Sequence, residues 1–250
     1  MDERGQATLE QLKLLADETR WRLLLLLRCS DYQVGELVER TGLAQNLISY
    51  HLNVLRQAGL VRVHRSDADA RANYYSAHLP GLIALHHGLA AGLALPTAAP
   101  IPERMPPVVF LCRANSARSQ MAEGWLRALS GARITVRSAG THPAPLHPLA
   151  VQVMAEAGID IGYQQTKHVD TLADLASAVV VTVCDIAREE CAVWLRAAIQ
   201  LHWSIADPVA VEDEAERLRA FRAVRDEVRE RVSGLLPLLP SLMAATRDAR

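Results

Sequence analysis

Five prolines fall within twelve residues: Pro96, Pro100, Pro102, Pro106 and Pro107. Each ring fixes φ and removes a backbone N–H, so this stretch can enter neither a helix nor a central strand. It favours extended chain. A linker over residues 96–107 therefore divides the 250-residue chain, with about 95 residues before it and about 143 after. Each side is long enough to bury its own core. Half of the residues are apolar, which excludes disorder as the main state. Aromatic residues are only 4%, so both cores must be built from Leu, Val, Ile and Ala. The two sides share no repeat, and their patterns differ.

The side before the prolines reads as helices, a hairpin and a closing helix. Ala7–Ala16 and Thr19–Arg28 carry apolar residues at helical spacing. Val34–Arg40 is a short helix, Thr41-Gly42 a turn, and Ala44–Gln57 a second helix stopped by Gly59. Leu60–Arg65 and Ala72–Ala77 form two strands around a polar tip, Ser66–Arg71, and Pro80–Leu95 closes the unit. Two helices on a tight turn, followed by a hairpin, spell a winged helix-turn-helix, all-α apart from the wing. Its second helix is expected in a DNA major groove. Gln45, Asn46, Ser49, Tyr50 and His51 supply donors and acceptors near that helix's start. Arg40, Arg56, Arg62 and Arg65 follow with no acidic residue among them, and Arg71 sits on the wing tip. A net charge of −1 thus conceals a local positive strip.

The side after the prolines alternates strands with helices, the pattern of a doubly wound parallel sheet. The strands are Val108–Leu111, Ile134–Ser138, Ala178–Val183 and Ile199–Ile205. The helices are Ser119–Leu129, Pro148–Ala157 and Glu212–Leu236. The first strand runs straight into Cys112-Arg113-Ala114-Asn115-Ser116-Ala117-Arg118-Ser119. A loop between strand and helix can turn successive N–H groups inward, from Arg113 through Ala117 to Arg118, and so cradle an anion. Arg118 closes it with a planar fork suited to a tetrahedral oxyanion. The same donors favour a thiolate on Cys112, and Ser119 can donate to it. Asn115 is the residue that tolerates a left-handed bend there.

Two further cysteines, Cys184 and Cys191, frame Asp185–Glu190 at the end of the valine-rich strand. Their spacing does not suit a zinc site, and no metal is expected. They are either two independent buried thiols or a redox pair, one attacking and one resolving. Asp207, after the last strand, is either a turn cap or a general acid. Cys29, the fourth cysteine, reads as a small core residue.

The chain is expected in the cytoplasm with reduced thiols. Met1–Gln6 is charged and polar, unlike a signal peptide. The apolar stretch 79–100 is broken by His86, His87 and three glycines, so no membrane span is expected. Four cysteines are too few for a disulfide scaffold.

Two family resemblances follow from these residues. The first side resembles the ArsR/SmtB repressors through Leu15–Arg20, Gly35-Glu36-Leu37, Ser49–Val61 and Tyr74-Tyr75. This implies a homodimer, formed through this domain, on palindromic operator DNA. The cysteine pair of many arsenic-sensing members is missing, since Gln33 and Gly35 stand at those places. The second side, the domain 108–250, resembles from about Val108 to Leu236 the thioredoxin-coupled arsenate reductases, which share the low-molecular-weight tyrosine phosphatase fold. The carrying segments are Cys112–Gln120, Ser138–Thr141, His147–Ala150, Gly158–Ile161, Val181–Asp185, Arg188–Cys191, His202-Trp203 and Asp207-Pro208.

The resemblance implies a four-stranded parallel sheet, an arsenate or phosphate-like oxyanion as substrate, and thioredoxin as electron donor, with no bound cofactor. It implies that Cys112 attacks arsenic, Asp207 protonates the departing oxygen, and Cys184 and Cys191 relay the resulting disulfide outward. Val209 and Ala192 depart from the reductase pattern. Two alternatives remain open: a tyrosine phosphatase tethered to a DNA reader, needing only Cys112, Arg118 and Asp207, and a purely regulatory oxyanion sensor.

Overall fold

The computed structural model describes residues 3–69, 71–93, 105–172, 175, 178–191, 199–240 and 242. Most of the proline segment, 96–104, lies outside the described residues. The chain divides into two compact units, Met1–Pro100 and Ile101–Arg250.

The first unit contains α1 (Glu3–Leu15), α2 (Glu18–Leu27), α3 (Val34–Thr41), α4 (Gln45–Gln57), the hairpin strands β1 (Val61–Arg65) and β2 (Asn73–Ala77), and α5 (Leu79–Leu93). Asp17 caps α2 by accepting the Arg20 N–H at 2.9 Å. Gln33 and Glu36 form a capping box on α3, and Gly42 ends it in the left-handed region at φ 71°. Thr41 therefore belongs to α3, and the turn of the helix-turn-helix is Gly42–Ala44. Leu23, Leu37, Ile48, Leu52, Leu55 and Leu60 are fully buried together. Each contributes roughly 1.5–3 kcal/mol by leaving water. Tyr32 adds a single antiparallel bridge to Tyr75 of the hairpin, and Arg40 lies over the Tyr32 ring at 4.7 Å.

The second unit runs β3 (Val108–Cys112), α6 (Arg118–Leu129), β4 (Val136–Gly140), α7 (Pro148–Glu156), β5 (Val179–Thr182), α8 (Asp185–Cys191), β6 (Ile199–His202) and α9 (Glu214–Leu235). The sheet order is β4-β3-β5-β6, and every pair is parallel. All of β3 and β5 is buried, which is why those strands read as unbroken apolar runs. Val109, Leu111, Ala139 and Val180 pack on one face with Val169 and Ala178. The intervening Phe110 meets Trp203, ring centroids 5.7 Å apart. The chain leaves β3 to pair on one side with β4 and later on the other with β5. The carboxyl end of β3 is therefore the point where strand order reverses, the place where open α/β sheets leave a crevice.

The segment Asp185–Cys191, to which the sequence assigned no element, is helical, as α8. One expectation near the loop changes. The last strand ends at His202, not Ile205, so Asp207 stands on a following turn. There it caps a short 3-10 helix, Pro208–Ala210.

Candidate active site

The Cys112–Arg118 loop occupies that crevice. Asn115 sits at φ 48°, the bend that a short polar side chain tolerates. The loop's carbonyls are tied away from its centre. His142, Ala144 and His147 donate their N–H groups to the carbonyls of Arg113, Ala114 and Ser116, at 2.8, 2.9 and 2.9 Å. Fixing the carbonyls on one side commits the N–H groups to the other, where they can meet an anion. Asn115 N–H already points to the Cys112 sulfur at 3.0 Å. The whole loop rests on Gly140. A Cβ there would lie 2.5 Å from the Arg113 oxygen and 2.8 Å from the Asn115 nitrogen.

Cys112 is buried, and its Sγ is 3.0 Å from the Ser119 hydroxyl. Behind Ser119 stands a closed polar network. Asn115 Nδ2 donates to Ser119 Oγ and to Ser138 Oγ, both at 2.9 Å. Asn115 Oδ1 accepts from Gln120 Nε2 at 3.2 Å and from the Lys167 N–H at 2.8 Å. Ser138 donates to Glu123 at 2.6 Å, and Glu123 pairs with Arg127 at 2.6 Å. All four bonds of the Asn115 amide are made in a buried setting, so the network fixes one loop shape.

Arg118 is buried at the start of α6. Its guanidinium donates to the Ile205 carbonyl at 2.7 Å and pairs with Asp207 at 2.8 Å. Asp207 also accepts the Val209 N–H at 3.1 Å. The cap role and the loop-facing role thus belong to the same carboxylate. His147 stacks on Phe221 at 4.7 Å, and its Nδ1 accepts the Leu149 N–H. Burial, then the Arg217 cation, hold its pKa below the ordinary histidine value. A neutral ring is what that accepting nitrogen requires.

Cys184 follows β5 and is fully buried. Its sulfur accepts the Ala187 N–H at 3.3 Å. Burial pushes its pKa up to about 12; the Arg118 cation and N–H bonds from Ala187 and Arg113 oppose this, while the Cys112 charge adds to it. The Val183 N–H donates to the Leu111 carbonyl at 2.7 Å, so the ends of β5 and β3 carry Cys184 and Cys112 side by side. Next to it, His202 bridges Thr182 at 2.8 Å and Asp185 at 3.1 Å, all three buried. This clamp fixes the turn from β5 into α8. Cys191 ends α8, and its side chain lies outside the described residues.

Residues 107–246 match the family model for low molecular weight phosphotyrosine protein phosphatases. The chain belongs to that family. Its relatives include an arsenate reductase from Bacillus licheniformis, 40% identical over 126 residues, which are 50% of this chain and 91% of the relative. A glutaredoxin arsenate reductase from Synechocystis is 35% identical over 132 residues, 53% of this chain and 97% of the relative. A solved arsenate reductase in the phosphate-binding state is 34% identical, with a TM-score of 0.48, covering 54% of this chain and 99% of its own. Residues 17–63 match the model for bacterial regulatory proteins of the arsR family. An arsR-family helix-turn-helix is thus joined to a phosphatase-family domain akin to arsenate reductases.

In the arsR-family unit, Gln45, Asn46, Ser49, Tyr50 and Arg56 lie on the exposed side of α4. Arg65 ends β1, and Arg71 is exposed on the wing, paired with Asp69 at 3.3 Å. His51 corrects the expectation. It is 7% exposed and stands 3.7 Å from Asp17. The helical period puts it three residues from Ile48 on the core face, so it packs rather than reads bases. Leu47 and Asn53, exposed on the same side as Tyr50, were not anticipated. Cys29 is buried, which raises its thiol pKa and agrees with a packing role.

In the phosphatase-family unit, sequence reasoning missed Glu123, Ser138, Gln120 and the Asp185–His202 pair. All five lie on helices or strands, and none was given a role in the site. Only their burial distinguishes them. Among the described residues, no cluster of three or more His, Cys, Asp or Glu could hold a metal ion, and no helix is long and apolar enough to cross a membrane.

Proposed function

We propose that the chain is a fused arsenic-resistance protein: residues 1–95 repress transcription as a dimer on a palindromic operator, residues 96–107 link, and residues 108–250 reduce arsenate to arsenite. The observation that carries the enzymatic reading is the position of Cys184. A phosphatase needs one sulfur, one arginine and one acid. Here a second buried thiol, Cys184, leaves the end of β5, whose Val183 N–H is bonded to the Leu111 carbonyl just before Cys112 on the neighbouring strand.

Arsenate docks on the loop amides of Arg113 to Arg118 and takes the Arg118 fork from Asp207. Cys112 attacks arsenic, and a hydroxyl leaves as water with a proton from Asp207. Ser119 and Asn115 hold the sulfur in place. Cys184, losing its proton to solvent, then attacks the Cys112 sulfur. The S–As pair stays on arsenic, which falls from As(V) to As(III) while the two sulfurs become a disulfide. Cys191 attacks Cys184 and frees Cys112, leaving Cys184–Cys191 for an external dithiol. That donor is a thioredoxin, as the reductase resemblance implies, or a glutaredoxin, as the name of the Synechocystis relative suggests. No bound cofactor takes part, and the setting is the reducing cytoplasm.

The test is arsenate reduction followed by NADPH oxidation with thioredoxin and thioredoxin reductase, and in parallel with glutathione and glutaredoxin, in wild type, Cys184→Ser and Cys191→Ser. Reduction by wild type and loss in both variants is expected. Hydrolysis of an aryl phosphate that survives both substitutions, with no arsenate reduction by wild type, would establish the phosphatase instead.

A further inference from the structure

Glu190 is the residue before Cys191, on the last turn of α8. Its carboxylate accepts the Thr141 hydroxyl and stands 3.6 Å from His142 Nδ1, while that ring nitrogen is 3.2 Å from Thr141 Oγ1. Both anchor residues are fixed. Thr141 follows β4 directly, and the His142 N–H is bonded to the Arg113 carbonyl of the anion loop. At its other end, α8 is held by Asp185 on His202. The short helix is therefore pinned at both ends, once at the Cys184 end and once at the Cys191 end.

Helical geometry makes the second pin consequential. The Arg188 N–H bonds to the Cys184 carbonyl, so the helical turn already includes Cys184. Seven residues at 1.5 Å each separate the two cysteines by roughly 10 Å along the axis. A disulfide requires Cα atoms within about 7 Å. The Cys184–Cys191 bond and an intact α8 exclude each other. Any contact that holds the last turn of α8 in place must be released before Cys191 can reach Cys184.

We propose that Glu190, held by Thr141 and His142, is a positioning residue that latches α8 in the dithiol state and so sets the equilibrium of the Cys184–Cys191 pair. This rests on the relay reading of the two thiols given above. The latched step is a thiol–disulfide exchange. Cys191 sulfur, having lost its proton to water, bonds to Cys184; the Cys112–Cys184 bond breaks, and its electron pair returns to Cys112. The latch stabilises the reactant side only. By linkage, removing it shifts the pair toward disulfide by the factor the latch contributed.

The experiment equilibrates the full chain carrying Cys112→Ser with mixtures of reduced and oxidised dithiothreitol, and quantifies the Cys184–Cys191 peptide disulfide by mass spectrometry. Glu190→Leu, which removes the acceptor and keeps a good helix former, and Thr141→Val are compared with the parent. Thr141→Val removes the hydroxyl without changing charge, which separates the latch from any effect of the carboxylate on the thiols. Each variant is expected to favour the disulfide by about three- to ten-fold, the range of one net hydrogen bond. For a two-electron couple this is about 15–30 mV toward more negative potential. A parent disulfide with the same equilibrium in both variants overturns the latch and leaves the relay standing. A parent in which Cys184 and Cys191 never pair overturns the relay and the latch with it.

Discussion

The Lys167 backbone N–H donates to the side-chain oxygen of Asn115 at 2.8 Å, across 52 residues of sequence. A backbone N–H can only donate, so it settles which end of the amide is oxygen. The nitrogen end is then directed at Ser119 and Ser138. Ser119 Oγ, already accepting from Asn115, has its proton left for the Cys112 sulfur 3.0 Å away. One amide held in one orientation leaves the serine proton available to a thiolate on the nucleophile.

Ser119→Ala should therefore lower kcat/KM for arsenate by about 10–100-fold, the range of a hydrogen bond to a charged group. Ser119→Thr, which keeps the hydroxyl, should recover most of it. Steady-state kinetics on both variants checks the assignment. An unchanged kcat/KM in Ser119→Ala contradicts it.

Gly140 meets backbone, not flexible side chain, where its Cβ would be. Neither the Arg113 carbonyl nor the Asn115 nitrogen can swing aside without moving the anion loop. Gly140→Ala should cost about 1–3 kcal/mol in thermal unfolding, as overpacking does. Its effect on oxyanion binding should be larger. Inhibition by phosphate measured beside Tm separates the two.

Cys184 carries a pKa raised to about 12 by burial. The sign is that of an acid whose charged form is disfavoured, so the thiol persists through neutral pH and its thiolate fraction grows tenfold per pH unit up to that value. At pH 7.5 only about one molecule in 10⁴–10⁵ presents the thiolate. Iodoacetamide should label Cys184 in the substrate-free chain about tenfold faster for each pH unit between 7 and 10. Peptide mass spectrometry over that range checks this, and a labelling rate flat with pH would contradict it. One of the causes holding Cys184 back is the charge on Cys112, so bonding Cys112 to arsenic removes a restraint on the second thiol at the step that needs it.

On the DNA side, Arg56 and Arg71 are exposed and His51 is buried. Arg56→Ala and Arg71→Ala should each weaken DNA binding and lower the slope of log affinity against log salt by about 1. His51→Ala should instead lower Tm, by about 1–3 kcal/mol of stability, with the salt slope intact. Fluorescence anisotropy on a duplex selected by the wild-type chain, taken at several salt concentrations, distinguishes the two classes. A reduced slope in His51→Ala would return that residue to the interface.

How much was legible in the sequence follows from the range over which each signal acts. The proline run, the helical and strand periods, and the Cys112-to-Arg118 loop between a buried strand and a helix are local patterns, set by backbone sterics and by which faces must leave water. They carry the winged helix-turn-helix and the parallel α/β sheet. The helix of Asp185–Cys191 escaped because a seven-residue segment flanked by two cysteines has too short a period to register. His51 was misplaced because a polar residue on a buried face looks, in sequence, like one on an exposed face.

What only the tertiary structure decided is where separate segments meet. The Asn115 network joins residues from 115 to 167, Arg118 reaches Asp207, and Cys184 arrives beside a loop about 70 residues earlier in the chain. Parallel strands bring their carboxyl ends to one edge, whatever the distance between them in sequence. The amino-acid order specified the parts of this site. Their distances, and the burial that raises the Cys184 thiol pKa, exist only once the sheet has formed.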